Sequence, residues 1–583
     1  RPDVLGDRTF GIGLWVGSGS TPNTVDAARV ALRKLRNGDT VEQGNPMQLQ
    51  ACPWCGARLD VSAYSVTKGP DSVTIHCPNV ECDYHAGSGI PAHVVDEDVY
   101  RVRPELVIGT VDKFARMAWD GSISALFGHT EATDIGPDLI IQDELHLISG
   151  PLGSTVGLFE SAVDISAGRT NESGQLARPK LVASTATIRR ADAQIKAVFN
   201  RTSRLFPPPG INPDESFFAR PAESSELGDR EYIGVMAPGT SHATLLVRTY
   251  ASLLHTVAAA NDVSDEIKDP YWTLIGYFNS LRVLGSAYLQ VHDDVSSRLD
   301  LLASRDDLPE PRRVRAEELT SRRPGSEIPV TLKQLEAGLG SEEDPLDVVL
   351  ATNMISVGLD VDRLGLMAVA GQPPSSSEYI QATSRVGRKY PGLVVNIFNS
   401  MKSRDRSHYE SFRDFHGSLY RAVEATSATP FAARSRDRAL HAALVASLRM
   451  VSEEFRGEAG AAAFHSTHRA VELVRDQILA RVHAVATDDS HDYAATQKDL
   501  GNLVATWERA VSEKVVEVYH DRKDPHRALL IDATMALTTD DIDIDSRSRT
   551  PWPTPQSMRD VDAETRLAPL RRSKVRTDTE SEG

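Results

Sequence analysis

The stretch that decides the fold is Leu139-Ile-Ile-Gln-Asp-Glu-Leu-His146, in which a short apolar run ends in two adjacent carboxylates. Apolar runs of this length predict strands buried on both faces, as in parallel sheets. Leu106-Val-Ile108 lies upstream, and Leu181-Val-Ala183 lies downstream beyond a segment with helical spacing of apolar residues. This alternation predicts a doubly wound α/β domain with its chemistry at the carboxyl ends of the strands.

A second α/β unit is predicted after the proline-rich break Pro207-Pro-Pro-Gly210. Its predicted strands are Leu274–Phe278, Val348–Ala351, Leu366–Ala370 and 393–397. From about residue 401 the apolar spacing becomes helical. The last segment, from Ser546, is polar and contains proline, which predicts little order of its own.

Length and composition narrow the class of protein. A chain of 583 residues is too long for one core, so roughly 3–5 domains are expected. No apolar run reaches the ~18 residues of a membrane span. Four cysteines are too few for a disulfide scaffold, which favours an intracellular compartment. The net charge of 64 − 81 = −17 argues against a surface coated for nucleic-acid binding, although a narrow channel needs only local positive potential.

All four cysteines lie close together, in Cys52-Pro-Trp-Cys55 and Cys77-Pro-Asn-Val-Glu-Cys82. Thiolates with this clustering converge on one tetrahedral ion, so the sequence predicts a structural Zn²⁺ ribbon. The second spacing is longer than usual, and His76 or His85 could replace one sulfur. Whether the ribbon braces the fold, contacts DNA or contacts a partner stays open.

The carboxylates Asp143 and Glu144 can divide two tasks at the end of a buried strand. One can hold a hydrated Mg²⁺ on a nucleotide, and the other can take a proton from water. His146 is placed to contact neighbouring motifs. The hydroxyls of Ser184 and Thr187 follow the next strand and could hydrogen-bond the carboxylates. The alternatives are a solvated acidic turn and an ordinary Ser/Thr turn.

Three residues follow the predicted strand Val348–Ala351: Thr352, Gly358 and Asp360. Glycine lets a sugar-phosphate chain approach the backbone, and Asp360 could bind a nucleotide ribose or an arginine. Beyond them, Gln381, Arg385 and Arg388 open or line a helix.

Arginine forms bidentate phosphate contacts and neutralises charge that develops on a γ-phosphate. The alternative is a basic helix face paired with surface acids. Thr110 and Lys113 follow a strand of the first unit and could contact a backbone phosphate, although a helix N-cap is a simpler role for Thr110. The chain contains no Gly-Lys dipeptide, so it has no phosphate-binding P-loop.

The order of these motifs resembles superfamily 2 helicases over roughly residues 105–400. More narrowly, the chain resembles the helicase component of bacterial DISARM anti-phage systems, and this likeness covers most of the chain. The stretches that carry it are Ile12-Gly-Leu-Trp-Val-Gly17, Asn45-Pro46, Cys52-Pro-Trp-Cys-Gly56, Gln142-Asp-Glu-Leu-His-Leu-Ile-Ser-Gly-Pro-Leu-Gly153, 369–388, Thr429-Pro-Phe431 and Arg436-Asp-Arg438.

The resemblance implies an ATP-dependent DNA helicase or translocase that uses ATP with Mg²⁺ in the bacterial cytoplasm. Asp143 would hold Mg²⁺, and Glu144 would orient or deprotonate water. Arg385 and Arg388 would be arginine fingers. DNA-backbone contacts would come from Thr110, Lys113 and Thr352. The implied partners are DNA and the DUF1998-type DISARM subunit, DrmB, and a DNA methyltransferase would belong to the same system.

The expected fold class is α/β, with two RecA-like parallel-sheet domains, an inserted zinc ribbon and a helical C-terminal region. The expected divisions are 1–45 and 96–210 for the first RecA-like domain, 46–95 for the ribbon, 211–400 for the second RecA-like domain, 401–545 for the helical domain and 546–583 for a polar tail.

In this family the P-loop precedes the 12–17 region, so it would lie before residue 1. We therefore expect the full-length protein to be an ATPase and this chain alone to be inactive. The alternatives are a zinc-bearing DNA-binding scaffold without ATPase activity and the motor subunit of a restriction system.

Overall fold

The computed structural model describes most of the chain. The described residues are 9–67, 69, 71–129, 135–170, 176–185, 191–208, 211, 217–218, 229–308, 310–323, 327–353, 361–424, 426–486, 490–533 and 550–560. Three residues with predicted site roles, Thr187, Gly358 and Asp360, lie outside this set.

A six-stranded, all-parallel sheet forms the second α/β unit. In sheet order its strands are Arg230–Val235, Gly392–Ile397, Leu366–Ala370, Leu274–Phe278, Val348–Ala351 and Ala316–Leu319. The three strands at positions three to five are buried along their whole length, as their uninterrupted apolar sequences predict. Its helices are His242–Ala259, Asp265–Trp272, Leu281–Gln290, Ser296–Arg305, Ile328–Glu336 and Ser376–Thr383, with a π-helical turn at Val291–Val295.

The first α/β unit contains two smaller parallel sheets. Ile12–Trp15 lies between Ala92–His93 and Leu106–Gly109, and Leu139–Gln142 pairs with Lys180–Ala183. Among the described residues no strand hydrogen bonds join the two pieces. Its helices are Val25–Arg36, Asp96–Val102, Gly150–Ala167 and Ala191–Phe199, with 3₁₀ segments Val111–Ala118, Gly121–Phe127 and Leu145–Leu147.

One face of these two pieces is uncovered by the described part of the chain. Their alternate aliphatic side chains are 46–62% exposed, whereas intervening residues such as Trp15 pack into the core. The exposed set is Ile12, Leu106, Ile108, Leu139, Ile141 and Val182.

The helical C-terminal region does not form a separate core. Helix Ala433–Val451 packs against helix Gly150–Ala167, and one continuous core runs from Trp15 to Trp507. A side chain at Gly157 would clash, because a Cβ there would lie 2.5 Å from Pro430 Cγ. The other helices of this region are Ser403–Glu410, Phe412–Gly417, Glu453–Arg456, Arg469–Val485 and Ser490–Ser512, with 3₁₀ segments Leu419–Ala422, Glu458–Ala463 and Pro525–Arg527.

The expected polar tail needs correction over residues 550–560. Strand Trp552–Thr554 pairs in parallel with Leu530–Asp532, and Trp552 and Met558 are buried. Burial of these two large apolar side chains holds this part of the segment in place. The polar residues around them are the reason that the composition predicted little order. Within the described residues no helix is both long and apolar enough to cross a membrane.

The cysteine-bearing insertion shares a small core with helix Val25–Arg36. Strands Tyr64–Thr67 and Ser72–Ile75 form an antiparallel hairpin, preceded by the 3₁₀ turn Val61–Ala63. The hairpin packs against helix Val25–Arg36. The predicted fold class is confirmed: α/β, with parallel sheets in two units and a helical C-terminal region.

Candidate functional site

The carboxylate turn, Asp143 to His146, is held by the neighbouring strand. Asp143 Oδ1 accepts hydrogen bonds from the Glu144 amide at 2.9 Å and from the Ser184 hydroxyl. The Leu145 amide donates to the Ser184 carbonyl at 2.9 Å. Ser184 thus lies beside the carboxylates because the two parallel strands end at the same edge of the sheet.

Glu144 has a strained backbone conformation. Its φ of 51° lies in the left-handed region, which a residue with a side chain adopts at a cost of about 1 kcal/mol or more. The adjacent Asp143 and Leu145 hydrogen bonds hold the turn in place. Outliers of this kind concentrate at functional sites, so the strain agrees with a chemical role for Glu144.

His146 links the carboxylate turn to the second α/β unit. Its imidazole is buried, with Nδ1 3.3 Å from Glu144 Oε2 and Nε2 2.6 Å from Gln381 Nε2. An amide nitrogen only donates, so in this arrangement His146 Nε2 accepts the hydrogen bond from Gln381. Gln381 is buried in helix Ser376–Thr383, so a direct hydrogen bond connects the two sheet domains at this point.

Arg385 and Arg388 lie in the turn after this helix rather than within it. The Arg385 amide donates to Ala382 O at 3.2 Å, and Arg388 Nε lies 3.4 Å from Ser384 O. Gly387 has a φ of +71°, and a Cβ there would lie 2.8 Å from Gly392 Cα, so only glycine fits. The arginines are therefore held at the end of the helix that carries Gln381.

The three residues with predicted DNA contacts lie in different environments. Thr110 is exposed at the N-cap position of Val111–Ala118, although its side chain makes no capping hydrogen bond. Thr352 is buried, with Oγ1 3.4 Å from Asn353 Oδ1. Lys113 is also buried.

The Lys113 ammonium group points into the protein, where all three of its hydrogen bonds go to protein groups. It bonds Asp96, the Val16 carbonyl at 2.9 Å and Asn23 Oδ1 at 3.3 Å. Burial raises the pKa of Asp96 to about 6 despite this neighbouring positive charge. The expected contact between Lys113 and a DNA phosphate does not fit this geometry, because a buried cation seldom leaves a paired carboxylate.

The four cysteines converge as a metal site requires. Their Sγ atoms lie within 4.8 Å of one another, with Cys55 to Cys77 at 3.5 Å and Cys52 to Cys82 at 3.8 Å. Tetrahedral Zn–S bonds of about 2.3 Å place sulfurs about 3.8 Å apart, so the donor set fits Zn²⁺. His85 Nδ1 lies 2.8 Å from the Cys77 carbonyl, which makes it a support rather than a sulfur replacement.

The environments of two of these thiols differ. The Ala57 amide holds the pKa of Cys55 down to about 7, whereas burial raises the pKa of Cys77 to about 12. A bound Zn²⁺ ion would stabilise both thiolates, because its positive charge offsets the cost of burying a negatively charged sulfur.

Sequence reasoning missed two polar residues beside the site. Gln194 is 1% exposed, and its Nε2 donates to Ile148 O at 2.6 Å. The Glu424 carboxylate accepts the Ser376 amide at the start of the helix that carries Gln381. The signal for Gln194 was a glutamine on the apolar face of helix Ala191–Phe199; nothing in the local sequence marks Glu424.

Part of the chain matches a known family model, and solved structures resemble it at low sequence identity. The model of the helicase conserved C-terminal domain matches residues 295–390, within the six-stranded domain. Solved structures similar to this chain include the DUF1998 helicase MrfA bound to DNA and AMPPNP (TM-score 0.44, 14% identity, 76% of this chain and 49% of that chain). Another is the Mycobacterium smegmatis helicase Lhr bound to ssDNA and AMP-PNP (TM-score 0.41, 14% identity, 76% and 48%).

A particular relative is much more similar in sequence. The chain is 39% identical over 566 residues to the DISARM protein DrmA of Bacillus paralicheniformis, covering 90% of this chain and 50% of that protein. The chain thus spans about half the length of this curated relative. The resemblance to a DISARM helicase predicted from the sequence is confirmed.

Proposed function

We propose that this chain is part of an ATP-dependent superfamily 2 DNA helicase or translocase of a bacterial DISARM phage-defence system. The observation that carries the proposal is the hydrogen bond between His146 and Gln381, 2.6 Å long, which joins the carboxylate turn to the helix that precedes Arg385 and Arg388. A nucleotide held between two sheet domains can drive their relative movement only if groups from both domains sense its state.

Three chemical tasks of ATP hydrolysis have candidate residues in this arrangement. Asp143 would hold Mg²⁺, which neutralises phosphate charge when bound. Glu144 would orient the attacking water and accept its proton. Arg385 and Arg388 would neutralise the charge that develops on the γ-phosphate.

DNA and the DUF1998-type subunit DrmB are the proposed partners, and the bacterial cytoplasm is the proposed location. Thr110 is the DNA-contact candidate that the geometry supports, because this residue is exposed directly after a strand. Thr352 would need a local rearrangement to reach a DNA strand, since it is buried. The cysteine centre is proposed to hold a structural Zn²⁺ ion.

A zinc-bearing scaffold without ATPase activity is the second candidate, supported by the four converging cysteines. Residues 1–583 themselves contain no Gly-Lys dipeptide. Without P-loop amides and lysine, binding of the β- and γ-phosphates should largely fail. We therefore expect residues 1–583 alone to hydrolyse ATP very slowly.

ATP turnover separates the two candidates. We expect the product of the whole open reading frame to hydrolyse ATP when DNA is present, and Glu144→Gln to lower turnover by roughly 100-fold or more, because the general base is lost. The same variant should still bind DNA, with an affinity that falls steeply as salt increases. DNA binding without turnover in the unmodified protein would favour the scaffold instead.

A further inference from the structure

The segment of residues 424–429 crosses from the second sheet domain to the first. Of these six residues, all but residue 425 lie within the described part of the chain. The polar contacts of the segment reach both the helix that carries Gln381 and the end of the carboxylate turn.

At its first end, Glu424 holds the start of helix Ser376–Thr383. Its carboxylate oxygens lie 3.0 and 2.9 Å from the Ser376 amide, and the Ser376 hydroxyl donates to Oε1 at 3.1 Å. A carboxylate at a helix N-terminus forms charge-assisted hydrogen bonds and interacts favourably with the helix dipole. Glu424 therefore fixes one end of this helix, while Gln381 contacts His146 near the other end.

At its second end, the segment attaches to the first sheet domain. The Thr426 hydroxyl donates to Gln194 Oε1 at 2.6 Å. Gln194 Nε2 in turn donates to Ile148 O at 2.6 Å and lies 3.5 Å from Leu145 O, so it connects to the residues that flank His146.

Two backbone groups extend this attachment to the first turn of helix Gly150–Ala167. The Gly150 amide donates to the Ser427 carbonyl at 2.8 Å, and the Thr429 amide donates to Ser154 Oγ at 2.9 Å. The same short segment therefore holds two helices. One is Gly150–Ala167, which follows the carboxylate turn, and the other is Ser376–Thr383, which precedes the arginines.

These contacts connect the two domains by two separate routes. One path runs directly from His146 to Gln381, and the other runs from the carboxylate turn through Gln194, Thr426 and Glu424. We propose that Glu424, Thr426 and Gln194 are positioning residues, which hold the helix that precedes Arg385 and Arg388 at a fixed place relative to the carboxylate turn. Their importance for catalysis rests on the proposed function, but the mechanical coupling does not.

Hydrogen–deuterium exchange tests the coupling. The matched variants are Glu424→Ala, at an exposed site, and Thr426→Val, which keeps the side-chain shape and removes the hydroxyl. If the segment acts as one unit, each variant should speed amide exchange at both ends, at Ser376 and at Gly150, by about tenfold, the effect expected for losing a helix cap. Circular dichroism checks that both variants stay folded.

A control variant is Ser241→Ala, which removes an ordinary cap, since Ser241 Oγ accepts the Thr244 amide at 3.0 Å in the second domain. It should speed exchange only at its own helix. If Glu424→Ala speeds exchange at Ser376 alone, or Thr426→Val at Gly150 alone, the segment is two local caps and the proposal is overturned. The measurement uses neither ATP nor DNA, so its outcome is independent of the proposed enzymatic activity.

Discussion

His441 is a buried histidine between helix Ala433–Val451 and the C-terminal strand. Its Nε2 lies 3.1 Å from Thr554 Oγ1, and its ring packs beside Trp552. Burial lowers the pKa of His441 to about 4, although a hydrogen bond with the Pro553 backbone opposes this shift. The folded protein therefore disfavours the protonated ring.

This burial predicts a pH dependence of stability. The folded-state pKa lies below the ordinary value of about 6.5, so the contribution of His441 is complete above pH 6.5 and is lost as the pH falls towards 4. The loss should reach about 3 kcal/mol. As the pH is lowered from 7 to 4, the thermal unfolding midpoint should fall less steeply in His441→Gln than in the unmodified protein. Equal slopes would show that this histidine does not titrate as its burial implies.

At the scale of single residues, the sequence predicted the types of group at the site better than their surroundings. The contact between Asp143 and Ser184 was predictable, because each residue follows the end of one of two neighbouring parallel strands. The burial of Lys113 was not predictable from its neighbours, since its partner Asp96 comes from a separate helix. Gln194 gave only a weak signal, because one buried glutamine has many explanations.

Among the elements, uninterrupted apolar runs were predictable as strands and edge strands were not. The predicted burial on both faces is wrong for Leu106–Gly109 and Leu139–Gln142, whose alternate side chains the described part of the chain leaves exposed. Leu274–Phe278 is apolar or small throughout and buried on both faces. Ala316–Leu319, at the sheet edge, contains two glutamates, so its sequence does not distinguish a strand from a helix. Trp552–Thr554 was missed because a single tryptophan determines the burial of a short polar segment.

The cysteine insertion is the element whose stability should depend on metal. We expect one Zn²⁺ per chain, and we expect Cys77→Ser to lose it. Because burial raises the pKa of the Cys77 thiol, zinc must displace its proton, so apparent affinity should rise by about tenfold per pH unit for each proton displaced. Elemental analysis and titration at several pH values measure both quantities.

Chelation should unfold this insertion and loosen helix Val25–Arg36, which shares its core, without unfolding the separate cores of the rest of the molecule. Trp54, exposed and 5.9 Å from the Tyr84 ring centre, should report the change by fluorescence. Metal-free protein with unchanged emission from this tryptophan would contradict a structural zinc ion.

For the whole molecule, the two sheet domains differ in how completely they are covered. The central strands of the six-stranded sheet are buried on both faces, whereas the strands of the first domain expose a row of aliphatic side chains on one face of the described chain. Parallel sheets are normally covered on both faces. Exposed rows of aliphatic side chains of this kind mark places where further protein packs or where chains associate.

This exposed face predicts the solution behaviour of residues 1–583 alone. The chain should bind a hydrophobic dye and self-associate at micromolar concentration, because water is a poor solvent for adjacent aliphatic groups. Ile108→Lys combined with Ile141→Lys, at two of the most exposed of these positions, should reduce both effects. Ile267→Lys, another exposed isoleucine but on a helix of the second domain, is the matched control and should change neither. Light scattering coupled to size-exclusion chromatography measures the association. A monomeric chain without dye binding would mean that this face is covered in solution.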